Sequence, residues 1–310
     1  MMSDQPEQNR SIAFIANSSQ FLPEIDAYKK LFESIGWAVK IFRYIPNSKE
    51  LFPFRVEWHI MGTDFSPKNP KRIKIHEYCS ASFPPFPHTK NFIKRMINVE
   101  PDYRVYQNQW MVNQMKMTNK PFFIRDMGIN EQFFLKEPVK KEFDFVYAGS
   151  IDKNRNLRLL VDAFHNNFPN HSILIVGNIP VWLKKMESEQ IVLINSVPYT
   201  KIHNWIKKAR YGINYVPDVY PFYRQTSTKL LEYCAAGLKI ITTSYHWVND
   251  FEKQKGGHFY KIDEKGINFH PQNIEKFQYA TPDVHSETWE KKFSTPEFKE
   301  LLYWLSSPDI

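Results

Sequence analysis

The chain has 310 residues, 42% hydrophobic, 24% charged and 16% aromatic, a globular composition with length enough for two α/β domains. Its 41 Lys and Arg stand against 33 Asp and Glu, a formal charge of +8, which excludes an acidic solvating chain and suits phosphorylated ligands or an anionic membrane surface. Only Cys79 and Cys234 occur, so a disulfide framework and a four-cysteine metal site are excluded, and no apolar run approaches the ~20 residues of a membrane span. The polar first residues read as neither a signal nor a transit peptide, and a cytoplasmic chain is expected, peripheral to the inner membrane face at most.

Residues 11–16 read as a first buried strand. Ile25, Tyr28, Leu31, Phe32 and Ile35 recur at helical spacing after Pro23 and stop at Gly36. Residues 37–44 read as a second strand. Strand, helix and strand make the unit of a parallel sheet with a right-handed crossover. Further strands are expected at 56–60, 72–76 and 103–106, with helices near 90–97 and 110–117. Residues 82–88 hold three prolines and read as a loop. This first half carries most of the positive excess. Residues 1–136 hold 19 basic and 13 acidic side chains, a net of +6, with Lys68, Lys71, Arg72, Lys74, Lys90, Lys94 and Arg95 prominent.

A boundary falls in the turn-rich, proline-broken stretch 126–142. The expected division is 1–136 for one Rossmann-like domain, 137–286 for a second, and 287–310 for a helical segment crossing back to the first. In the second half, strands are expected at 143–148, 172–176, 191–194 and 211–216, with helices at 157–164 and 200–209. Two successive alternations of strand and helix predict two doubly wound α/β domains facing a cleft. Ligands of such sheets sit beyond the carboxyl ends of the strands.

The densest signal is Ser227-Thr228-Lys229-Leu230-Leu231-Glu232-Tyr233-Cys234-Ala235-Ala236-Gly237, followed by Leu238-Lys239-Ile240-Ile241-Thr242-Thr243. Ser227 and Thr228 suit a helix cap, Gly237 a left-handed helix end, and residues 240–243 a short buried strand. Leu230, Leu231, Cys234 and Ala235 share one face, which leaves Lys229 and Glu232 on the exposed side. A helix start carrying a cation and a carboxylate suits a phosphorylated, hydroxyl-rich ligand. Taken alone, Glu232 reads as a solvated residue paired with Lys229 at i, i+3, worth tenths of a kcal/mol.

The segment resembles the donor-binding motif of retaining GT-B glycosyltransferases of the family-four type, which reads roughly S-P-x-K-L-L-E-Y-x-A-x-G-x-P-V-I-x-T. The likeness extends over about residues 143–260. Phe145-Val-Tyr-Ala-Gly149-Ser150 with Lys153 and Arg155 resembles the family's F-x-G-R…K-G turn, whose basic side chains hold the donor diphosphate. Ser150 stands at the usual arginine position, which moves that work to Arg155 and Lys153. Residues 173–178, through Gly177, resemble l-x-I-V-G-x-G. Val197 and Tyr199 fall where the family meets the nucleotide base. The resemblance implies a phosphate contact for Lys229 and ribose hydroxyl contacts for Glu232, with Ser227 and Thr228 beside them. The family's first motif glutamate falls at Arg224, a departure that touches the sugar end of the site. In the first half, Ile73-Lys-Ile-His76-Glu77 resembles v-x-x-H-D/E, which implies that His76 contacts the donor sugar or phosphate. Residues 123–133 resemble the family's hinge, and Trp289-Glu290 its late W-E before a last helix.

The resemblance implies a metal-independent hexosyltransferase acting on a nucleotide-diphosphate sugar, a UDP-sugar by preference. The acceptor would be a saccharide or lipid-linked saccharide, in cell-surface polysaccharide or glycoconjugate synthesis. His76, Arg155 and Lys229 are its expected catalytic residues. No Asp-x-Asp triplet occurs, so protein cations are expected in place of a metal, and no tightly bound cofactor is expected. Arg224 keeps open a non-catalytic GT-B subunit or scaffold for another transferase, and a nucleotide-sugar epimerase also fits the fold. No nucleic-acid partner is expected, because the basic surplus carries no recognisable binding motif.

Overall fold

A computed structural model describes residues 10–17, 22–151, 155–263 and 268–307. The chain forms two compact units. One runs to Met127 and resumes at Trp289; the other is Gly128–Thr288.

The first unit holds a parallel sheet of β1 (Ser11–Ile15), β2 (Ala38–Phe42), β3 (Val56–Ile60), β4 (Ile73–Tyr78), β5 (Tyr103–Tyr106) and β6 (Phe122–Ile124), in the order β2-β1-β3-β4-β5-β6. All residues of β1 and β4 are buried, because layers cover both faces of such a sheet. Phe14, Tyr28, Phe32 and Trp58 form one aromatic cluster beside β1. The C-terminal helix Pro296–Ser306, capped by Thr295, adds Phe298, Leu301 and Leu305 to that core. Phe293 stacks on Tyr28 at 5.1 Å between centroids.

A buried charged pair lies under this cluster. Arg125 donates to Glu77, which also accepts from Trp58 Nε1 at 2.8 Å. The guanidinium lies over the rings of Tyr28, at 5.4 Å, and Trp289, at 5.3 Å. Removing one partner strands the other charge in a dry interior. Arg125→Met is therefore expected to cost about 3–5 kcal/mol in urea unfolding; a cost under 1 kcal/mol would contradict this reading.

The second unit holds β7 (Phe143–Ala148), β8 (Ile173–Gly177), β9 (Ile191–Asn195), β10 (Ala209–Asn214), β11 (Lys239–Thr243) and β12 (Tyr260–Ile262), all parallel in the order β12-β11-β10-β7-β8-β9. The helix Thr228–Ala235 lies against β10. Gly212 permits this, since a Cβ there would stand 2.6 Å from the Tyr233 ring. Tyr233 in turn accepts a hydrogen bond from the Ala148 amide at 2.8 Å and ties the helix to β7.

Three expectations shift. The first domain is expected to run to residue 136, but the structure divides at Met127. Ile129 and Phe133 are fully buried in the second unit's core, and the Ile129 amide donates to Glu287 O at 3.0 Å. The helix expected over 200–209 is Tyr199–Ile206. The chain turns at Lys207 and Lys208, and Ala209 opens β10 opposite Phe143. The helix expected from Lys90 begins at Pro87, where proline's fixed φ suits a first helical turn.

Candidate functional site

The strand order of the second unit defines a crevice. From β7 the chain winds outward through β8 to β9, then returns to β7's other side with β10 and winds on to β11 and β12. The switch lies between the carboxyl ends of β7 and β10, at Ala148 and Asn214, and ligands of doubly wound sheets bind at that point.

Two local features open it. Gly149 has φ +139°, outside the range of L side chains, and its amide donates to Val176 O at 3.0 Å. Gly177 lies so close that a Cβ there would stand 2.4 Å from the Gly149 carbonyl. The β7 turn thus rests on the end of β8, with Gly149 and Ser150 exposed. On the other side, Ser227 is the N-cap of the helix Thr228–Ala235. Its Oγ accepts from the Leu230 amide at 3.3 Å and donates to Asn214 Oδ1 at 2.8 Å. Asn214 Nδ2 donates to Thr242 Oγ1 and Tyr245 Oη, each at 3.0 Å. The helix start is therefore pinned to the ends of β10 and β11, with its positive dipole end and its first amides at the switch point.

Lys229 joins the two sides. Its Nζ lies 3.9 Å from the centroid of Tyr147 on β7, and its side-chain end passes 3.8–3.9 Å from the Cβ position of Gly149. Arg155 stacks over Phe222 at 5.4 Å. Burial pushes the Tyr245 phenol up to about 12, against its hydrogen bonds and the Arg155 charge. The Lys229 cation, a helix N-terminus and an open glycine turn converge here.

Glu232 departs from its expected position. It is 6% exposed rather than solvated, and its Oε1 accepts from Tyr199 Oη at 2.6 Å. Burial pushes its carboxyl up to about 7, with Tyr199 and Lys229 pulling it down. Tyr199, expected at the nucleotide base, spends its hydroxyl on Glu232. Val197 is half-buried and packs against the core. Lys153 lies outside the described residues. Arg224 sits in the short 3-10 turn Phe222–Arg224. Sequence reasoning missed Tyr147, Asn214 and Tyr245. Tyr147 had a signal, being two residues before Gly149 on the strand that enters the turn.

His76 is a correction. It belongs to the first unit and is fully buried on β4, where alternation puts Lys74, His76 and Tyr78 on one covered face. His76 Nε2 lies 3.0 Å from Asp64 Oδ2, which Lys74 Nζ also reaches at 2.8 Å. Burial drives the imidazole down to about 4, against the pull of Asp64. The enclosed ring is held by Asp64, and no catalytic contact is assigned to it. Among the described residues, no three His, Cys, Asp or Glu side chains are grouped to hold a metal ion.

No protein-family model matches the chain. No curated protein matches it in sequence. Solved structures match it in fold. HepE of Anabaena, solved with UDP and glucose, superposes with a TM-score of 0.62 at 11% identity over 96% of this chain and 99% of that one. Sucrose-phosphate synthase from Thermosynechococcus elongatus gives 0.60 at 11% identity over 96% and 95%. A glycosyltransferase from Rickettsia africae gives 0.59 at 11% identity over 96% and 92%. The chain thus has a two-unit doubly wound α/β fold. That fold is the GT-B fold of glycosyltransferases.

Proposed function

We propose that the chain is a glycosyltransferase that moves a sugar from a nucleoside diphosphate sugar to an acceptor hydroxyl. The observation that carries this is the placement of Lys229 and the capped helix start at the switch point of the second unit. As the bond from the sugar to the diphosphate loosens, negative charge grows on the leaving oxygens. Lys229, Arg155 and the amides of Thr228 and Lys229 are fixed to meet it, and preorganised charge of this kind is the largest usual source of rate. Protein cations do this work in place of a metal, and the configuration at the anomeric carbon is retained, a reading that rests on the motif resemblance. Glu232 accepts from the ribose hydroxyls once its proton is released, and charge-assisted bonds of this kind are about twice as strong as neutral ones. The HepE structure holds UDP, so a UDP-sugar is the first donor to try.

A lipid-linked saccharide at the cytoplasmic face of an anionic membrane is the acceptor class this reading favours, within cell-surface polysaccharide or glycoconjugate synthesis. Its support is the helix Pro87–Ile97 and the loop before it. Phe86, Phe92 and Met96 are 75%, 55% and 69% exposed, beside Phe83, Ile93 and Ile97. Residues 83–97 hold Lys90, Lys94 and Arg95 and no acidic residue. Apolar anchors among cations suit the interface of an anionic bilayer. No helix of the described residues is long and apolar enough to cross it. The protein is expected to float with vesicles of phosphatidylglycerol and phosphatidylcholine at low salt, and Phe92→Ser/Met96→Ser is expected to stay at the bottom of the gradient. Equal flotation of the two would remove this support.

Thermal melts with UDP, GDP and dTDP test the donor reading. One nucleotide is expected to raise the melting temperature, and a ligand at a hundred times its Kd adds about 2.7 kcal/mol of stability. Silence from all three would favour a non-catalytic subunit, to which Arg224 in place of the motif glutamate also points.

A further inference from the structure

The first unit carries a second polar hollow. A cavity of about 300 Å³ is lined by Tyr78, Arg95, Asn98, Arg104, Lys116 and Asn119 among others. Residues 98–101 lead into β5 and residues 116–119 lead toward β6, while Tyr78 closes β4, so the lining joins the segments before β5 and β6 to the end of β4.

Its walls carry more positive charge than the chain neutralises. Arg104 is 4% exposed. Its Nη1 donates to Asn119 Oδ1 at 2.9 Å, while its Nε and that of Arg95 are buried with no hydrogen-bond partner. Among the described residues, none of Arg95, Arg104 and Lys116 forms an ion pair. The one acid in the lining, Glu100, is taken by Lys120 at 3.7 Å and by the Asn119 amide. The helices Pro87–Ile97 and Gln109–Met115 end at the cavity, and their terminal carbonyls offset part of the charge of Arg95 and Lys116. Arg104 lies on β5 and is the most buried of the three. A buried guanidinium without a counter-charge is costly, and an anion with several acceptor oxygens relieves that cost. The volume, at the lower end of small-molecule sites, admits a phosphate with a small organic body.

We infer that this cavity is a binding site for a small phosphate-bearing ligand, gripped by Arg95, Arg104 and Lys116. The inference does not depend on the donor reading, since the residues belong to the other unit. Arg95 and Lys116 are away from the core, and Lys116 has φ +50°, a conformation asparagine also tolerates.

The test is a set of thermal melts with inorganic phosphate against chloride and acetate at equal ionic strength. Wild type is expected to give a saturable rise with phosphate alone. Arg95→Ala/Lys116→Asn is expected to need at least tenfold more phosphate for the same rise, and Arg104→Met to lose the rise if it folds. Lys229→Ala is expected to keep the phosphate response, which separates this site from the donor site. No saturable rise beyond chloride, an equal rise with acetate, or an unchanged response in the double variant would overturn the proposal.

Discussion

Lys229→Ala is expected to slow release of the nucleotide diphosphate from its sugar by about 10²–10³-fold, the usual loss when one preorganised donor to a developing negative charge is removed. Lys229 is suited to this role by position. It sits in the first turn of a helix whose start is pinned by Ser227 to Asn214, and its ammonium rests 3.9 Å above Tyr147 next to the open turn at Gly149. Charge held there needs no rearrangement as the leaving oxygens become negative. The cost to folding is smaller. A cation over an aromatic face contributes about 0.5–2 kcal/mol, so the variant should melt only a few degrees below wild type. Lys229→Arg keeps the charge but not the compact ammonium, and a partial rate is expected. A wild-type rate in Lys229→Ala would remove the lysine from the reaction.

Glu232→Gln is expected to act in opposite directions on stability and on donor affinity. In the fold the carboxyl holds its proton up to about pH 7, against 4.5 when unperturbed, because burial disfavours the ionised form. The folded state therefore binds more protons than the unfolded chain between these two values. Stability falls as pH rises through that window, and above pH 7 the loss is complete, on the order of 3 kcal/mol. Glutamine keeps an acceptor for Tyr199 Oη and has no charge to bury. At pH 8 Glu232→Gln should be the more stable protein, and near pH 4.5 the two should coincide. Donor binding reverses the comparison. Two ribose hydroxyls favour the ionised carboxylate, so wild-type Kd should fall as pH rises from 6 to 8 and flatten above the carboxyl's pKa. Glu232→Gln should bind about 10–100-fold more weakly at pH 8, the loss of one charge-assisted hydrogen bond, with no such pH dependence. Parallel pH profiles for wild type and variant would separate Glu232 from the donor.

Most strands were readable because a parallel sheet covered on both faces needs continuous apolar runs, and Ser11–Ile15, Ile173–Gly177 and Lys239–Thr243 supply them, whereas the three-residue edge strands β6 and β12 were not expected. The helix after Ser227 was readable through its cap and through Gly237, which takes φ +64°. The surroundings of Glu232 were not. Helical spacing reports one helix's own faces, and the cover over Glu232 comes from Tyr199, 33 positions away. His76 misled for a related reason. A histidine near a strand's end reads as a cleft residue, but Asp64, from the loop before β4, closes over it. The unit boundary moved because Ile129 and Phe133, inside a turn-rich stretch, are core residues of the second unit.

A nucleoside diphosphate is expected at the switch point between β7 and β10. A crystal structure of the protein grown with UDP tests it most directly. Diphosphate density is expected within hydrogen-bond distance of Lys229 Nζ and the Thr228 amide, with the ribose hydroxyls on Glu232. UDP bound away from Gly149 and the Thr228–Ala235 helix would contradict it.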